Sequence, residues 1–276
     1  MNVRSHDEEG AIRAESITRR LIDTLGADAV STDPHERQLF SLDFSEEVGE
    51  TAVAVVRPKS VEAISALMRL ASAEGFAVNT RGGGMSYTKG HVPVRPDTVV
   101  LDNTGFNRIL EVNTTDRYVS IETGTRWVDL RAALQGTGMR VPYLGTLSGN
   151  WATVGGGLSQ NATGMGRMTL AEHVLGLEVV LGDGRLLRTG SWATSGTAPF
   201  YRYNGPDLTG LFLCDSGALV SRPRFTCNLS RGPRCRLAAS RFLTACRWLL
   251  RRPPWRPAVC TLKPSLSTAI LWANTH

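Results

Sequence analysis

The stretch that decides the fold is the glycine loop Arg81-Gly82-Gly83-Gly84-Met85-Ser86-Tyr87. Three successive glycines expose backbone N–H groups and carry no Cβ that would block close approach, so the loop could hold a diphosphate. A plain flexible turn is the competing interpretation, because short glycine motifs are weak signals. The loop is neither a Walker A sequence, which needs Gly-Lys-Ser/Thr, nor a G-x-G-x-x-G fingerprint.

The residues before this loop have the pattern of a strand–helix–strand unit. Residues 52–57 are mostly apolar and predict a buried strand that ends at Pro58. Ser60 is expected to cap a helix that ends at Gly75, and residues 76–80 predict a second strand. Such a unit of about 30 residues is typical of a βαβ motif.

The rest of the first 215 residues predicts a mixed α+β fold. The pair Asp183-Gly184 is a strong turn signal and predicts a β-hairpin. The remaining elements are expected as a helix at 11–25, strands at 98–102, 108–113 and 117–122, a helix at 126–136, and hairpin strands at 178–181 and 186–188.

A second glycine-rich stretch lies further along the chain. It contains Thr153-Val154-Gly155-Gly156-Gly157-Leu158-Ser159-Gln160-Asn161. Two such loops at strand ends could clamp one long ligand from both sides, and a dinucleotide with a central diphosphate fits that shape. We therefore expect Gly83 and Gly156 to line one cleft, with backbone amides of both turns converging on the diphosphate.

Five motifs follow one another along the chain. They are R-G-G-G-x-S at Arg81, E-x-G at Glu122, T-V-G-G-x-x-x-x-N-x-x-G at Thr153, G-L-E-V-V-L-x-D-G at Gly176, and D-L-T-G-L-F-L-x-D-S-G-A-L at Asp207. Together they resemble the FAD-binding domain of PCMH-type oxidoreductases of the vanillyl-alcohol-oxidase superfamily, which include glycolate oxidase subunits and D-lactate dehydrogenases. The resemblance covers residues 35–219 and implies an α+β fold of two α/β subdomains that binds FAD.

The resemblance also implies roles for single residues. Gly82, Gly83, Gly84 and Ser86 would cradle the FAD diphosphate. The wall near the flavin would be lined by Thr153, Gly155, Gly156, Ser159 and Asn161. Pro58 with the 176–181 strand would lie near the adenosine end. A small substrate such as a 2-hydroxy acid would give its hydride to flavin N5. No catalytic residue and no metal ligand is assigned. The cofactor-binding residues implied are Pro58, Arg81, Gly82, Gly83, Gly84, Met85, Ser86, Tyr87, Gly149, Thr153, Gly155, Gly156, Ser159, Asn161, Gly164 and Val180.

Met85 bears on how the cofactor is held. Some relatives attach FAD covalently through a histidine directly after the three glycines, and Met85 stands at that position here. We therefore expect non-covalent FAD. His91 and His173 are interpreted as structural or surface histidines rather than as flavin linkers or bases.

The composition changes abruptly near residue 215. Residues 1–215 carry 20 Lys and Arg against 25 Asp and Glu, whereas residues 216–276 carry 11 Lys and Arg and no acid. All five cysteines lie from Cys214 onward. In ordinary sequences about a quarter of the residues are charged, with both signs present. The shift therefore predicts a boundary.

The family pattern breaks at the same point, because residues 220–233 read VSRPRFTCNLSRGP instead of the family's strand. We interpret residues 220–276 as a non-native, disordered tail read out of frame. One alternative is a basic nucleic-acid arm with Trp248 and Trp255. The other is a zinc module, although the tail cysteines lack a C-x-x-C pair.

These observations predict three segments: a helical segment at 1–34, the FAD-binding domain at 35–219 and the tail at 220–276. The N-terminus is polar and no apolar run reaches the ~18 residues of a membrane span, so a cytoplasmic protein is expected. The expected function is that of an FAD-dependent oxidoreductase acting on a small molecule, with this chain lacking the substrate domain and inactive alone. A non-catalytic FAD-binding remnant and a nucleic-acid binder are the alternatives.

Overall fold

The computed structural model of the protein describes residues 6–45, 49–144, 148–162, 165–166, 169–195, 200–203 and 205–231. The chain divides into two compact units, Met1–Ser230 and Arg231–His276, and of the second only Arg231 is described. The helices are α1 (His6–Leu25), α2 (Pro34–Phe40), α3 (Val61–Glu74), α4 (Trp127–Leu134), α5 (Val154–Ser159), α6 (Trp192–Ser195) and α7 (Leu208–Leu211), with 3-10 turns at Ala27–Ala29 and Leu170–His173. The strands are β1 (Val30–Ser31), β2 (Ala54–Val56), β3 (Ala77–Arg81), β4 (Thr98–Asp102), β5 (Ile109–Asn113), β6 (Tyr118–Glu122), β7 (Met139–Arg140), β8 (Tyr143–Leu144), β9 (Met165–Gly166), β10 (Val174–Val180), β11 (Leu186–Arg188), β12 (Ser221–Asn228) and β13 (Ser230–Arg231).

The first sheet has the order β1-β2-β4-β3 and contains the expected strand–helix–strand unit. Its strands β2, β4 and β3 are parallel, and β1 pairs antiparallel with β2. Helix α3 begins where Ser60 Oγ accepts a hydrogen bond from the Ala63 N–H, and it ends at Gly75, whose φ is +75°. The apolar face of the helix buries Ile64 in the core of this sheet. The predicted unit is confirmed, and it places the carboxyl end of β3 at Arg81.

The N-terminal segment belongs to this first core. Ile17 and Leu21 of α1 are buried in the same cluster as Ile64 of α3, and β1 extends the first sheet at its edge. Helix α1 also begins earlier than the predicted 11–25, at His6. The division predicted at residue 34 therefore does not correspond to a break in the fold.

The second sheet has the order β11-β10-β12-β6-β5, and all of its pairs are antiparallel. It buries Ile121, Leu177, Val179 and Phe225 in one core with residues of α4 and α5. Strands β10 and β11 form the expected hairpin, and Gly184 in its turn has a φ of +79°. Two sheets with their helices confirm the predicted α+β fold.

Strand β12 contradicts the boundary predicted after Leu219. It lies between β10 and β6 at the centre of the second sheet. Phe225 and Cys227 alternate along the strand and are buried in the core, as one side of a strand allows. The folded unit continues to Ser230. The boundary was misplaced because the Arg- and Pro-rich composition of this segment masked the short alternation of buried residues in β12. The rest of the predicted tail, 232–276, lies outside the described residues.

A row of alternating charges crosses the second sheet. Glu122 of β6 pairs with Arg108 at 2.7 Å, and Glu178 of β10 pairs with Arg188 of β11 at 3.0 Å. Arg224 of β12 lies between the two glutamates, with nitrogens 3.9 Å from Glu122 and 3.3 Å from Glu178. Both glutamate side chains are only 1% exposed. The row therefore supplies counter-charges to two buried carboxylates.

Within the part of the chain that the structure describes, no helix combines the length and the apolar character needed to cross a membrane.

Candidate functional site

The first wall of the candidate site is the turn that follows β3. Gly84 in this turn adopts a φ of +69°, which residues with side chains rarely adopt. A Cβ on Gly82 would lie 2.3 Å from Thr153 Oγ1, and one on Gly83 would lie 1.9 Å from the Trp151 carbonyl oxygen. These positions require glycine because the turn packs directly against the second glycine-rich segment.

The backbone N–H groups of this first turn are available to a ligand. Among the described residues, none accepts a hydrogen bond from the N–H of Gly82, Gly83, Gly84 or Met85. Successive unpaired N–H groups in a concave turn can form an anion-binding nest. This arrangement agrees with the prediction made for the first loop.

The second wall is formed by α5, whose first N–H groups are already bonded. Thr153 Oγ1 accepts a hydrogen bond from the Gly156 N–H at 3.2 Å, and the Thr123 carbonyl accepts one from the Gly155 N–H at 2.9 Å. The Gly157 N–H donates to the Thr153 carbonyl at 3.1 Å. The prediction that amides of both turns converge on one diphosphate is therefore wrong for these three glycines. Gly155 serves close packing instead, because a Cβ there would lie 2.4 Å from Thr123 Cβ.

Both walls line one cavity of about 550 Å³, within the ~300–1,000 Å³ typical of ligand sites. Gly83 and Gly156 share this cavity, as the sequence predicts. The predicted site residues that line it are Arg81, Gly82, Gly83, Gly84, Met85, Ser86, Tyr87, Thr153, Gly155, Gly156, Ser159 and Asn161.

Three predicted site residues that the structure describes, Pro58, Gly149 and Val180, do not line the cavity. Pro58 lies instead at a smaller cavity of about 350 Å³ beside the Leu25–Ala29 turn. Val180 is fully buried in the core of the first sheet, and the Gly149 carbonyl accepts a hydrogen bond from the Val128 N–H at 3.1 Å. Gly164 lies outside the described residues. Proximity to a motif in sequence did not imply proximity to the cavity.

Sequence reasoning missed cavity residues that come from other elements. Asn103 follows β4, Thr123 follows β6, and Arg222 belongs to β12. The position of Asn103 directly after a strand could have predicted its place at the site, because the carboxyl ends of parallel strands meet at one edge of a sheet and ligands bind there. No sequence pattern indicated Arg222, because its segment was assigned to the tail. The other missed residues are Thr80, Thr88, His91, Ser148, Ala152, Gly157, Gln160, Ala162, Ser216, Gly217 and Val220.

Arg81 is a cation without an acidic partner at the cavity wall. No carboxylate of the described residues lies within ion-pair distance of its guanidinium, and its buried Nε has no hydrogen-bond partner among them. Burial lowers the pKa of Arg81, the charge of Asp102 opposes this shift, and the charge of Arg57 adds to it. The neighbouring Asn103 also has a buried Oδ1 without a partner among the described residues. An anionic ligand would give Arg81 the counter-charge that it lacks.

Arg222, by contrast, is fully paired. Its guanidinium lies 2.8 Å from Asp215 Oδ1, donates to the Phe212 carbonyl at 2.9 Å, and donates to Ser159 Oγ. Burial alone would raise the pKa of Asp215, but the hydrogen bond and charge of Arg222 together with backbone N–H donors lower it. This network ties β12 and the turn after α7 to α5, and so fixes the second wall.

The two histidines of the sequence interpretation have different environments. His91 is buried, and its Nε2 lies 3.2 Å from the Leu42 carbonyl, an acceptor that requires the proton on Nε2. Burial and then the charge of Arg81 lower the pKa of His91. Burial also lowers the pKa of His173, which does not line the cavity. His91 thus has a structural bond, although it also lines the cavity.

Comparison with known families gives this site a class. The family described as "FAD binding domain" matches residues 52–190, which include both glycine loops and β3, β4 and β6. The match covers half of the chain. The chain therefore belongs to the FAD-binding domain family, and FAD is the cofactor of that family.

Individual relatives extend the likeness beyond this match. The glycolate oxidase subunit GlcD of Bacillus subtilis is 26% identical over 208 residues, covering 74% of this chain and 43% of the relative. The mitochondrial D-2-hydroxyglutarate dehydrogenase of Rattus norvegicus is 32% identical over 164 residues, covering 57% and 30%. The solved structure of p-cresol methylhydroxylase with substrate bound has a TM-score of 0.71 at 19% identity, covering 81% and 44%, and shows a shared fold. The chain thus spans less than half the length of these relatives.

The residues present fit the FAD cofactor. A cradle of glycines that cannot carry a Cβ lies beside the cavity, and its N–H groups have no acceptor among the described residues. Arg81 adds an unneutralised positive charge at the same wall. These groups suit the diphosphate of a dinucleotide better than a neutral ligand.

Proposed function

We propose that this chain is the FAD-binding part of an FAD-linked oxidoreductase that oxidises a small organic substrate such as a 2-hydroxy acid. The observation that carries the proposal is the single cavity shared by the two glycine loops. The glycolate oxidase and 2-hydroxyglutarate dehydrogenase relatives support the substrate class. Bound FAD would supply the acceptor for a substrate hydride.

Our residue assignments follow the geometry of the two walls. The N–H groups of Gly82–Met85 would bind the diphosphate, because they lack acceptors among the described residues. Thr153, Ser159 and Asn161 would line the wall near the flavin, where Ser159 is held by Arg222. Gly155 and Gly156 would shape that wall through close packing rather than through free amides.

We also propose that FAD is held without a covalent bond and that the protein is cytoplasmic. Met85 has no nitrogen that could attach to the flavin, and it lines the cavity directly after the three glycines. Of the described residues, Cys214 and Cys227 are free thiols, as is usual in a reducing compartment. Acid precipitation tests the linkage, because non-covalent FAD stays in the supernatant while a flavin attached to protein precipitates with it.

Gly83→Ala tests the cradle. The new Cβ would meet the Trp151 carbonyl oxygen at 1.9 Å, so one of the two segments must shift and the turn loses its fit to the diphosphate. We expect FAD affinity to fall by at least about tenfold, measured by flavin fluorescence on titration, which corresponds to ~1.4 kcal/mol of binding free energy.

Gly105→Ala is the matched control, because no atom lies within 4 Å of a Cβ at that exposed glycine. The control is expected to bind FAD as the unchanged protein does. Equal affinities of the two variants would contradict the assignment of the 82–86 turn, and a protein that gains no flavin absorbance at all would remove the proposed function.

A further inference from the structure

Arg81 of the cavity wall belongs to a charge cluster whose other members do not line the cavity. Two arginines, Arg57 and Arg81, contact the ring of Phe40, with guanidinium carbons 5.0 and 4.4 Å from its centroid. Asp102 lies at the end of β4, directly opposite Arg81 in the register of the parallel strands. One buried carboxylate is thus close to two cations.

Asp102 forms an ion pair with Arg57. Its Oδ2 accepts a hydrogen bond from Arg57 Nε at 3.0 Å, and its Oδ1 accepts bonds from the N–H and hydroxyl of Thr104 at 2.9 and 2.7 Å. Glu36 Oε1 lies 2.5 Å from Nη2 of the same Arg57 guanidinium. The Asp102 side chain is only 3% exposed, so water contributes little to its solvation.

Arg81 is left without a carboxylate as a consequence. Of the described residues, none forms an ion pair with it, although it lines the cavity and lies beside Gly84 of the first turn. If Arg57 did not hold Asp102, this carboxylate would be the nearest partner for Arg81. A neutralised Arg81 would attract a phosphate much less strongly.

We propose that Arg57 is a positioning residue that withholds Asp102 from Arg81 and so keeps Arg81 free for the phosphates of the bound dinucleotide. Arg57 does not itself line the cavity. It acts through its hydrogen bond to Asp102. This inference rests on the proposed function, because FAD is the ligand that brings the phosphates.

The test compares FAD affinity in the full chain for Arg57→Met, Asp102→Asn and the double variant, by flavin fluorescence on titration. Arg57→Met is expected to weaken FAD binding about tenfold, because Asp102 is released to pair with Arg81. The double variant is expected to return to within about threefold of the unchanged protein, since Asp102, the residue opposite Arg81 in the strand register, can no longer neutralise Arg81. A structural role alone would not produce this rescue, because the double variant has lost more native contacts than either single variant.

Asp102→Asn alone keeps the inference testable if Arg57→Met does not fold. It is expected to bind FAD as tightly as the unchanged protein or slightly more tightly, because it removes negative charge near Arg81 while Arg57 keeps its ion pair with Glu36. Arg95→Met is the matched control, since it breaks an exposed pair with Asp97 at 2.8 Å away from the cavity. It is expected to leave FAD affinity unchanged.

Three results would overturn the proposal: undiminished FAD affinity in Arg57→Met, a double variant as weak as Arg57→Met, or weaker binding in Asp102→Asn. An unchanged protein that binds no FAD would instead overturn the proposed function. The two failures are therefore distinguishable.

Discussion

At the scale of single residues, Cys214 has an unfavourable backbone conformation. Its φ is +59°, in the left-handed region that residues with a Cβ rarely adopt. Its N–H donates to the Leu158 carbonyl at 3.1 Å, so the conformation is fixed by a bond to α5. Ser216, two residues later, also has a positive φ and lines the cavity. The turn after α7 is thus strained where it meets the site.

Cys214→Gly is expected to stabilise the protein, because glycine adopts this φ without a steric penalty. We expect a gain of about 0.5–1 kcal/mol in the free energy of unfolding, after the greater freedom of glycine in the unfolded chain is subtracted. Urea denaturation measures it. Cys214→Ala is the control, since it removes the thiol and keeps the Cβ. An equal gain in both variants would show that the thiol, rather than the backbone, is responsible.

At the scale of secondary structure elements, β12 holds the second sheet together. It pairs with both β10 and β6, and it carries two arginines that neutralise carboxylates of three other segments. Arg222 pairs with Asp215 at the cavity wall, and Arg224 lies between Glu122 and Glu178. A buried carboxylate that loses its counter-charge is strongly destabilising. The stability of the sheet therefore depends on residues that follow Leu219.

Arg224→Met tests this dependence. Both glutamates would keep one arginine each, so we expect a loss of about 1–3 kcal/mol in the free energy of unfolding, below that of a fully broken buried pair. Arg185→Met is the control, because it removes an exposed ion pair with Asp183 at the β10–β11 turn. It is expected to cost less than about 1 kcal/mol. Equal losses in the two variants would contradict the role given to β12.

At the scale of the whole molecule, local signals in the sequence were sufficient for much of the fold. The strand–helix–strand unit, the Gly184 hairpin and the first glycine loop each depend on neighbouring residues, and the structure contains all three. The pairing of β12 with its neighbouring strands could not be predicted from local signals, because a strand's place in a sheet depends on residues far away in sequence. Composition then favoured the wrong boundary.

The residues of the candidate site were likewise only partly predictable from the sequence. The glycine positions were predictable, because few other residues fit a tight turn with a close neighbour. Arg222 reaches the cavity through β12, whose pairing in the second sheet depends on residues distant in sequence. Pro58 and Val180, two residues that the family resemblance implied, lie away from the cavity. The pairing that leaves Arg81 free also depends on distant residues, since Arg57 and Asp102 come from different strand ends.

The most direct test of the account is a crystal structure of the protein with FAD. We predict electron density for FAD in the cavity between the two glycine loops, with its diphosphate at the N–H groups of Gly82–Met85 and beside Arg81. Density for the diphosphate only at the smaller cavity near Pro58, or an empty main cavity at saturating FAD, would contradict it.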